Sequence, residues 1–394
     1  MSQNNYEFVK KALPAKFGTY GLVFVAAGLL LVILSFVFAP LRATFTSLIV
    51  FTFLIGIGMC SLFLIGLEYL TGAVWSVPFR RISEYLVLLI FIAPLFAIPV
   101  FFNMHEVFHW AHKGVMETDK ILQMKSPYLN TSFFYIRIAA ILALMGLFAW
   151  LIIGNSTKQD KNPNQDYTRK NVKLSAMLMP VFGISITLIS IDWIMSLEPH
   201  WFSTIFGVYY FAGSLVTTFS VIALFAIMLK KNDILPKQVG RDHFYNLGAF
   251  MFAFVNFWAY IAFSQFMLIW YANQPEETFW FISRTSGSWL YVSLGIIAVN
   301  FIVPYSALLS QPSKSSLSRL KFVGIWIVVA HFYDLYWLVM PTFNKAGAIL
   351  NWTEIGFPLL ALGLVMLVFK YMYNKRNIVP IGDPKLKRAL EFHL

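Results

Sequence analysis

Two sets of residues in this 394-residue sequence have types and spacings that chemistry uses. The first is His105-Glu106-Val107-Phe108-His109, an H-E-x-x-H pattern in which two imidazoles one helical turn apart bind zinc and the glutamate activates water. A catalytic zinc needs a third protein ligand. His112 lies on the same helical stripe as His105, but no downstream acidic or histidine motif of a metalloprotease follows. The pattern is therefore read as an outer-edge partner contact or relay, with an intramembrane zinc metalloprotease as the lesser alternative. The second set is the ionisable residues inside apolar runs: Glu68, Arg137, Asp192, Arg284, His331 and Asp334. A charge at the centre of a bilayer costs at least ~2.5–3.5 kcal/mol, so such residues carry function or pair with one another. Counted from the ends of their runs, Arg137 and Asp192 both lie roughly 9 Å inside one surface at 1.5 Å per helical residue. Arg284 and Asp334 fall at the equivalent depth further along the chain. The expectation is an Arg137–Asp192 pair and an Arg284–Asp334 pair, either packing salt bridges or members of a proton path. His331 shares a helix face with Asp334 and adds a titratable neighbour, as a relay or as a packed core histidine. Glu68, at the other end of its run, is a mouth of such a path or a carboxylate bonded to a nearby hydroxyl. Glu198 and His200, in the aromatic connection SLEPHWFSTIFGVYYF, are outer-edge residues suited to a partner contact.

The elements that hold these residues follow from composition. The chain is 59% hydrophobic and 12% charged, with mean hydropathy +0.69, far from the ~25% charge of globular domains. It reads as an all-α polytopic membrane protein with ten transmembrane helices, at about 17–39, 45–72, 82–103, 131–153, 175–197, 204–229, 244–271, 278–309, 321–343 and 353–374. Of the 30 Lys and Arg, 23 fall on the terminus side of these spans and 5 on the other, with Arg137 and Arg284 inside spans. That asymmetry predicts an even number of spans and cytoplasmic termini. The net charge of +12 is spread over short loops, which argues against nucleic acid. Segment 154–174 reads as a polar surface linker, and the first span as retained rather than cleaved. The one cysteine, Cys60, excludes an internal disulfide, a Cys-ligated iron–sulfur cluster and c-type haem attachment. With His331 the only histidine well inside a span, bis-histidine haem ligation is not expected either.

Three sets of matched positions suggest an internal repeat. Arg81, Tyr85 and Trp110 are spaced as Arg241, Tyr245 and Trp270; Thr131, Phe134 and Arg137 as Thr278, Phe281 and Arg284; and Asp192 and Pro199 as Asp334 and Pro341. The matches fall in order on spans 3–5 and 7–9, which predicts two four-helix bundles, spans 2–5 and spans 6–9, related by a direct repeat, with spans 1 and 10 peripheral. The corresponding division is 1–44 for the tail and first peripheral span, 45–200 and 201–343 for the bundles, and 344–394 for the last span and tail.

The stretches IDWIMSLEPHWFSTIFGVYYFAGS at 191–214 and FVNFWAYIAFSQFMLIWYANQPEE at 254–277, with FHWAH at 108–112, carry a family resemblance. The chain resembles the polysulfide-reductase, NrfD-like integral membrane family over nearly its whole length. It is most similar to the F-subunit branch of bacterial alternative complex III, a quinol:electron-acceptor oxidoreductase. The resemblance implies a multi-pass, non-redox subunit of the bacterial inner membrane that anchors the complex and conducts protons. It implies no cofactor in this chain. Iron–sulfur clusters and c-type haems would sit on partner subunits, beside a homologous quinol-binding membrane subunit, with a terminal oxidase as a further partner and membrane lipid around the whole. Carried over residue by residue, it makes Arg137, Asp192, Arg284, His331 and Asp334 path candidates and none of them a quinol ligand. A stand-alone transporter is the alternative of a different class.

Overall fold

The computed structural model describes residues 10–112 and 114–394, so the first nine residues of the tail and Lys113, one of the basic residues on the sparse side, lie outside the described part. The protein is a multi-pass, all-α integral membrane protein. Among the described residues, ten apolar segments are long enough to cross a bilayer: Ala15–Phe38, Pro40–Thr71, Val77–Phe102, Thr131–Lys161, Gln165–Leu197, Phe206–Lys231, Arg241–Ala272, Trp289–Leu308, Leu317–Phe343 and Trp352–Lys375, numbered here as spans 1 to 10. Span 2 is the axis. Protein buries 83% of its most apolar stretch, against 22% for span 1, and it packs on spans 3, 5, 6 and 9. Span 6 is the second central helix.

These two helices are rich in small polar residues that a bilayer interior would penalise unless bonded. They bond to their own helices. Thr52, Ser61, Thr217, Thr218 and Ser220 each donate to the carbonyl one turn earlier, so these five hydroxyls are buried with their donors met. Where they touch, Tyr210 donates to the carbonyl of Thr52. Spans 1 and 10 pack on each other at the edge of the molecule. Gly28 makes that approach possible, because a Cβ there would sit 2.4 Å from the backbone nitrogen of Leu360.

Several expected boundaries move. Segment 154–174 is not a surface linker: span 4 runs on to Lys161 and span 5 begins at Gln165, leaving three residues between them. The reason is helix-end chemistry that a hydropathy reading overlooks. Asn164 caps span 5 by accepting from the Asp166 amide at 2.9 Å, Asp166 occupies the first turn, and Lys158 and Lys161 occupy the last turn of span 4. The segment expected to be one span over 278–309 is two helices, Pro275–Thr285 and Trp289–Leu308. Gly287, at φ +57, makes the turn between them within Ser286–Ser288. Inside the second piece, residues Ile297–Ile302 form a π-helical turn. Span 3 is likewise a chain of short helical pieces, with Pro94 and Pro99 in its half away from the termini.

Candidate functional sites

Near the face opposite the termini, Arg137 and Asp192 meet as their depths predict. Arg137 donates from Nε to Asp192 Oδ2 at 2.7 Å and from Nη2 to Oδ1 at 3.0 Å, a bidentate fork. Tyr128 completes it, its hydroxyl donating to Oδ1 at 2.8 Å while its carbonyl accepts from Arg137 Nη1 at 2.7 Å. The guanidinium lies 3.9 Å from the centre of the Tyr128 ring. Every charge here has a partner.

The second pair does not form. Arg284 lies on Pro275–Thr285, outside span 8, so counting its depth from position 278 misplaces it. It donates to the carbonyls of Leu338 at 2.8 Å and Trp280 at 3.1 Å, and its guanidinium stacks 3.6 Å from the Trp280 ring. Burial pushes it below its ordinary value, with the fields of Glu198 and Tyr209 acting the other way. Asp334 instead accepts a hydrogen bond from the Tyr209 hydroxyl. His331 is its other polar neighbour, with Nδ1 3.7 Å from Oδ2, beyond hydrogen-bonding reach. Asp334 and His331 are 1% and 2% exposed, and no Lys or Arg among the described residues contacts this carboxylate. The matched positions of the two halves thus carry different contacts. Arg81 and Arg241 differ in the same way, the first fully buried in ion pairs and the second exposed beside Ser315.

At the terminus-side face, Glu68 meets two partners. Ser76 donates to Oε2 at 2.7 Å, and Arg80 Nη1 stands 3.0 Å from Oε1. Arg80 also bonds Asp383, which the C-terminal tail brings back over the terminus-side ends of the spans. The tail is held there by Tyr85 donating to the Asn377 carbonyl at 2.8 Å and by His243 Nε2 at 2.8 Å from the Ala389 carbonyl. Beside it, Arg81 bonds Glu84 and, at 2.6 Å, Asp160. Glu68 and Arg80 also border a cavity of about 260 Å³ walled by Trp75, Phe219 and Phe250. A sequence reading that counts loop arginines only for topology misses this network. The available signal was Glu84, three residues after Arg81 on the same helical face.

The H-E-x-x-H residues do not share a helix. His105 and Glu106 lie on Met104–Val107, Phe108 is extended at φ −110 and ψ 114, and His109 opens a separate 3-10 turn. The i, i+4 stagger that would aim both imidazoles at one ion is lost. His105 turns back to the Ala111 carbonyl, and His105, Glu106 and His109 are exposed. Among the described residues, no group of three His, Cys, Asp or Glu side chains is placed to hold a metal. His200 instead contacts Asp119, Nε2 to Oδ2, at 2.5 Å, tying the 104–130 segment to the span 5–6 connection. Burial at Asp119 is outweighed by that contact and by bonds from the Leu122 and Ile121 amides, which hold the carboxyl below its ordinary value. A carboxyl lowered on folding stabilises above its unfolded value and loses that contribution as pH falls through the folded one. The protection of the Lys120–Lys125 amides, exchange measured against the intrinsic rate at each pH, is therefore expected to be high above about pH 4 and to fall below it, with Asp119→Ala low throughout. An unchanged profile in the variant would rule out the tie.

No protein-family model and no curated protein matches the chain.

Proposed function

We propose that the chain is a non-redox, F-type membrane subunit of a bacterial quinol:acceptor oxidoreductase of the alternative complex III kind. In this reading it lies in the inner membrane with both termini in the cytoplasm, anchors the complex and conducts protons. The observation that carries the proton role is the buried set Tyr209, Asp334 and His331, a phenol, a carboxylate and an imidazole adjacent in the membrane interior. Three proton-exchanging groups in line, the carboxylate not clamped by an arginine, are what a relay needs. The Arg137–Asp192 fork is the opposite case, a carboxylate fixed by two guanidinium bonds, and it serves as structure. Glu68 and Arg80, against the cavity at the terminus-side face, supply the opposite mouth. Electrons belong to partners: an iron–sulfur subunit, c-type cytochrome subunits and a homologous quinol-binding membrane subunit, with a terminal oxidase downstream. The 191–214 and 254–277 stretches support that assignment.

The test is purification in mild detergent, with haem staining and mass spectrometry of what comes with the chain, followed by reconstitution. The expected result is co-purification with haem proteins. In the reconstituted complex, Asp334→Asn should assemble normally and lower protons moved per electron. A chain recovered alone, or an assembled Asp334→Asn complex with the parental proton ratio, would overturn the corresponding half of the proposal. The cavity beside Glu68 and Arg80 favours a second reading, a stand-alone transporter, for which solute-dependent flux by the isolated chain is the distinguishing result.

A further inference from the structure

The π-helical turn Ile297–Ile302 sits on a small cavity in the membrane interior. The cavity has a volume of about 10 Å³ and is lined by Asn300 of the turn, Trp258 of span 7, Gly213 of span 6 and His331 of span 9. That is the size that takes one water. The polar atoms around it have no protein partner: Asn300 Nδ2, Trp258 Nε1 and both ring nitrogens of His331 are buried without a hydrogen bond. An unpaired amide, indole or imidazole in a low-dielectric interior is costly, and such groups are conventionally met by a bound water making two to four bonds. The inventory suits water. Asn300 and Trp258 offer N–H donors to its two lone pairs, and a neutral imidazole offers one acceptor to its protons. The π-turn also has a role here, since one extra residue in a helical turn re-aims a side chain and such turns gather at functional sites. Gly213 leaves the space on the opposite wall, where a Cβ would lie 2.8 Å from His331 Cε1.

We infer that this cavity is a single-water site held by Asn300, Trp258 and His331, with Asn300 the positioning residue that the π-turn presents. We further infer, resting on the proton-conducting reading above, that the water is the step of the relay next to His331 and away from Asp334. The groups facing His331 are Asp334 on its own helix, Tyr209 of span 6 through that carboxylate, and the ring of Phe53 from span 2, 5.6 Å away. Arg284 is engaged with carbonyls. A proton arriving at the water oxygen takes the lone pair that the Trp258 N–H releases, and the water passes one of its own protons onto the accepting nitrogen of His331. The other ring nitrogen releases its proton toward Asp334, so charge and atoms balance and no electron moves.

The test uses the protein in lipid nanodiscs in whatever assembly it purifies, imaged at a resolution that shows ordered water. The parent should show one density within hydrogen-bonding distance of Asn300 and of His331. Asn300→Leu should lose it, and Asn300→Ser, which keeps a donor, should retain it. Passive proton flux in proteoliposomes should fall about tenfold in Asn300→Leu and recover to within about threefold of the parent in Asn300→Ser, a proton-transfer step being sensitive to one bond in the chain. Absence of density in the parent, or its persistence in Asn300→Leu, overturns the site. Density that behaves as expected with equal flux in all three proteins, above that of protein-free liposomes, overturns the relay step alone, whereas parental flux no greater than that of protein-free liposomes overturns the proton-conducting reading. None of these outcomes depends on whether haem proteins co-purify, so the site and the complex assignment fail separately.

Discussion

Asp192→Ala is expected to destabilise the protein by ~3–5 kcal/mol, the usual cost of removing one member of a buried ion pair. Arg137 is 6% exposed and gives Asp192 two of its donors, so the variant leaves a guanidinium in the membrane interior with the Tyr128 carbonyl and three aromatic rings for company. Asp192→Asn should cost less, since the amide oxygen still accepts one of the two bonds. The double variant Arg137→Met with Asp192→Leu should recover much of the loss, because well-packed apolar residues often replace a buried pair without penalty. Thermal inactivation in detergent gives the ranking. If Asp192→Ala proved as stable as the parent, the fork would be a contact without energetic weight. By contrast Asp334→Ala leaves only a phenol without its acceptor, ~1–3 kcal/mol, so the two aspartates should separate clearly on the same assay.

Arg80→Met should have the other large effect. It strands two carboxylates, Glu68 and Asp383, that share one guanidinium and are each 6% exposed, and the expected loss is again ~3–5 kcal/mol. The loss should have a local signature. Without the Asp383 bond the C-terminal tail loses its innermost anchor, and limited proteolysis should cut within 376–394 faster than in the parent, while the loop at 273–274 on the opposite face is cut at the same rate. Adding Glu68→Gln and Asp383→Asn to Arg80→Met should restore resistance to heat but not to the protease. Uniform protease sensitivity across both faces would indicate general unfolding and remove the tail from the explanation.

How much was legible in the sequence follows from which physics each feature obeys. Hydropathy is local and strong, so ten spans were readable. Depth is additive along a helix, so Arg137 and Asp192 could be matched without knowing how the helices pack. The same arithmetic failed for Arg284 because it presumes an unbroken helix, and Ser286-Gly287-Ser288 is a turn. Its neighbours Phe281, Ile282, Trp289 and Leu290 are apolar enough to hide that turn in any window average. The zinc alternative for H-E-x-x-H rested on the same assumption of an unbroken helix, and Phe108 breaks it. Tyr209 was invisible as a partner of Asp334 because a tyrosine among aromatics has no distinguishing pattern. The Arg80, Arg81, Glu84, Asp160 and Asp383 network was missed because ion pairs between distant segments leave no periodicity, and Asp383 in particular reads as part of a solvated tail. The same holds for Arg42 and Glu354, which pair through two bonds to one carboxylate oxygen.

The packing of span 1 on span 10 bears on how the chain is made. Synthesis runs from the amino end, so span 1 enters the bilayer when its partner is still unmade, and its glycine face meets lipid for as long as the remaining spans take to emerge. A helix that waits in this way must be stable alone. Span 1 is the most apolar of the ten and holds no acidic residue, whereas spans 2, 5 and 9, which carry Glu68, Asp192 and Asp334, have neighbours that arrive close behind them. Its closure by span 10 then comes only after the eight spans between them have been made. A ribosome-arrested chain lacking span 10 should insert its first nine helices and still expose the edge on which a chaperone or insertase recognises an unfinished protein.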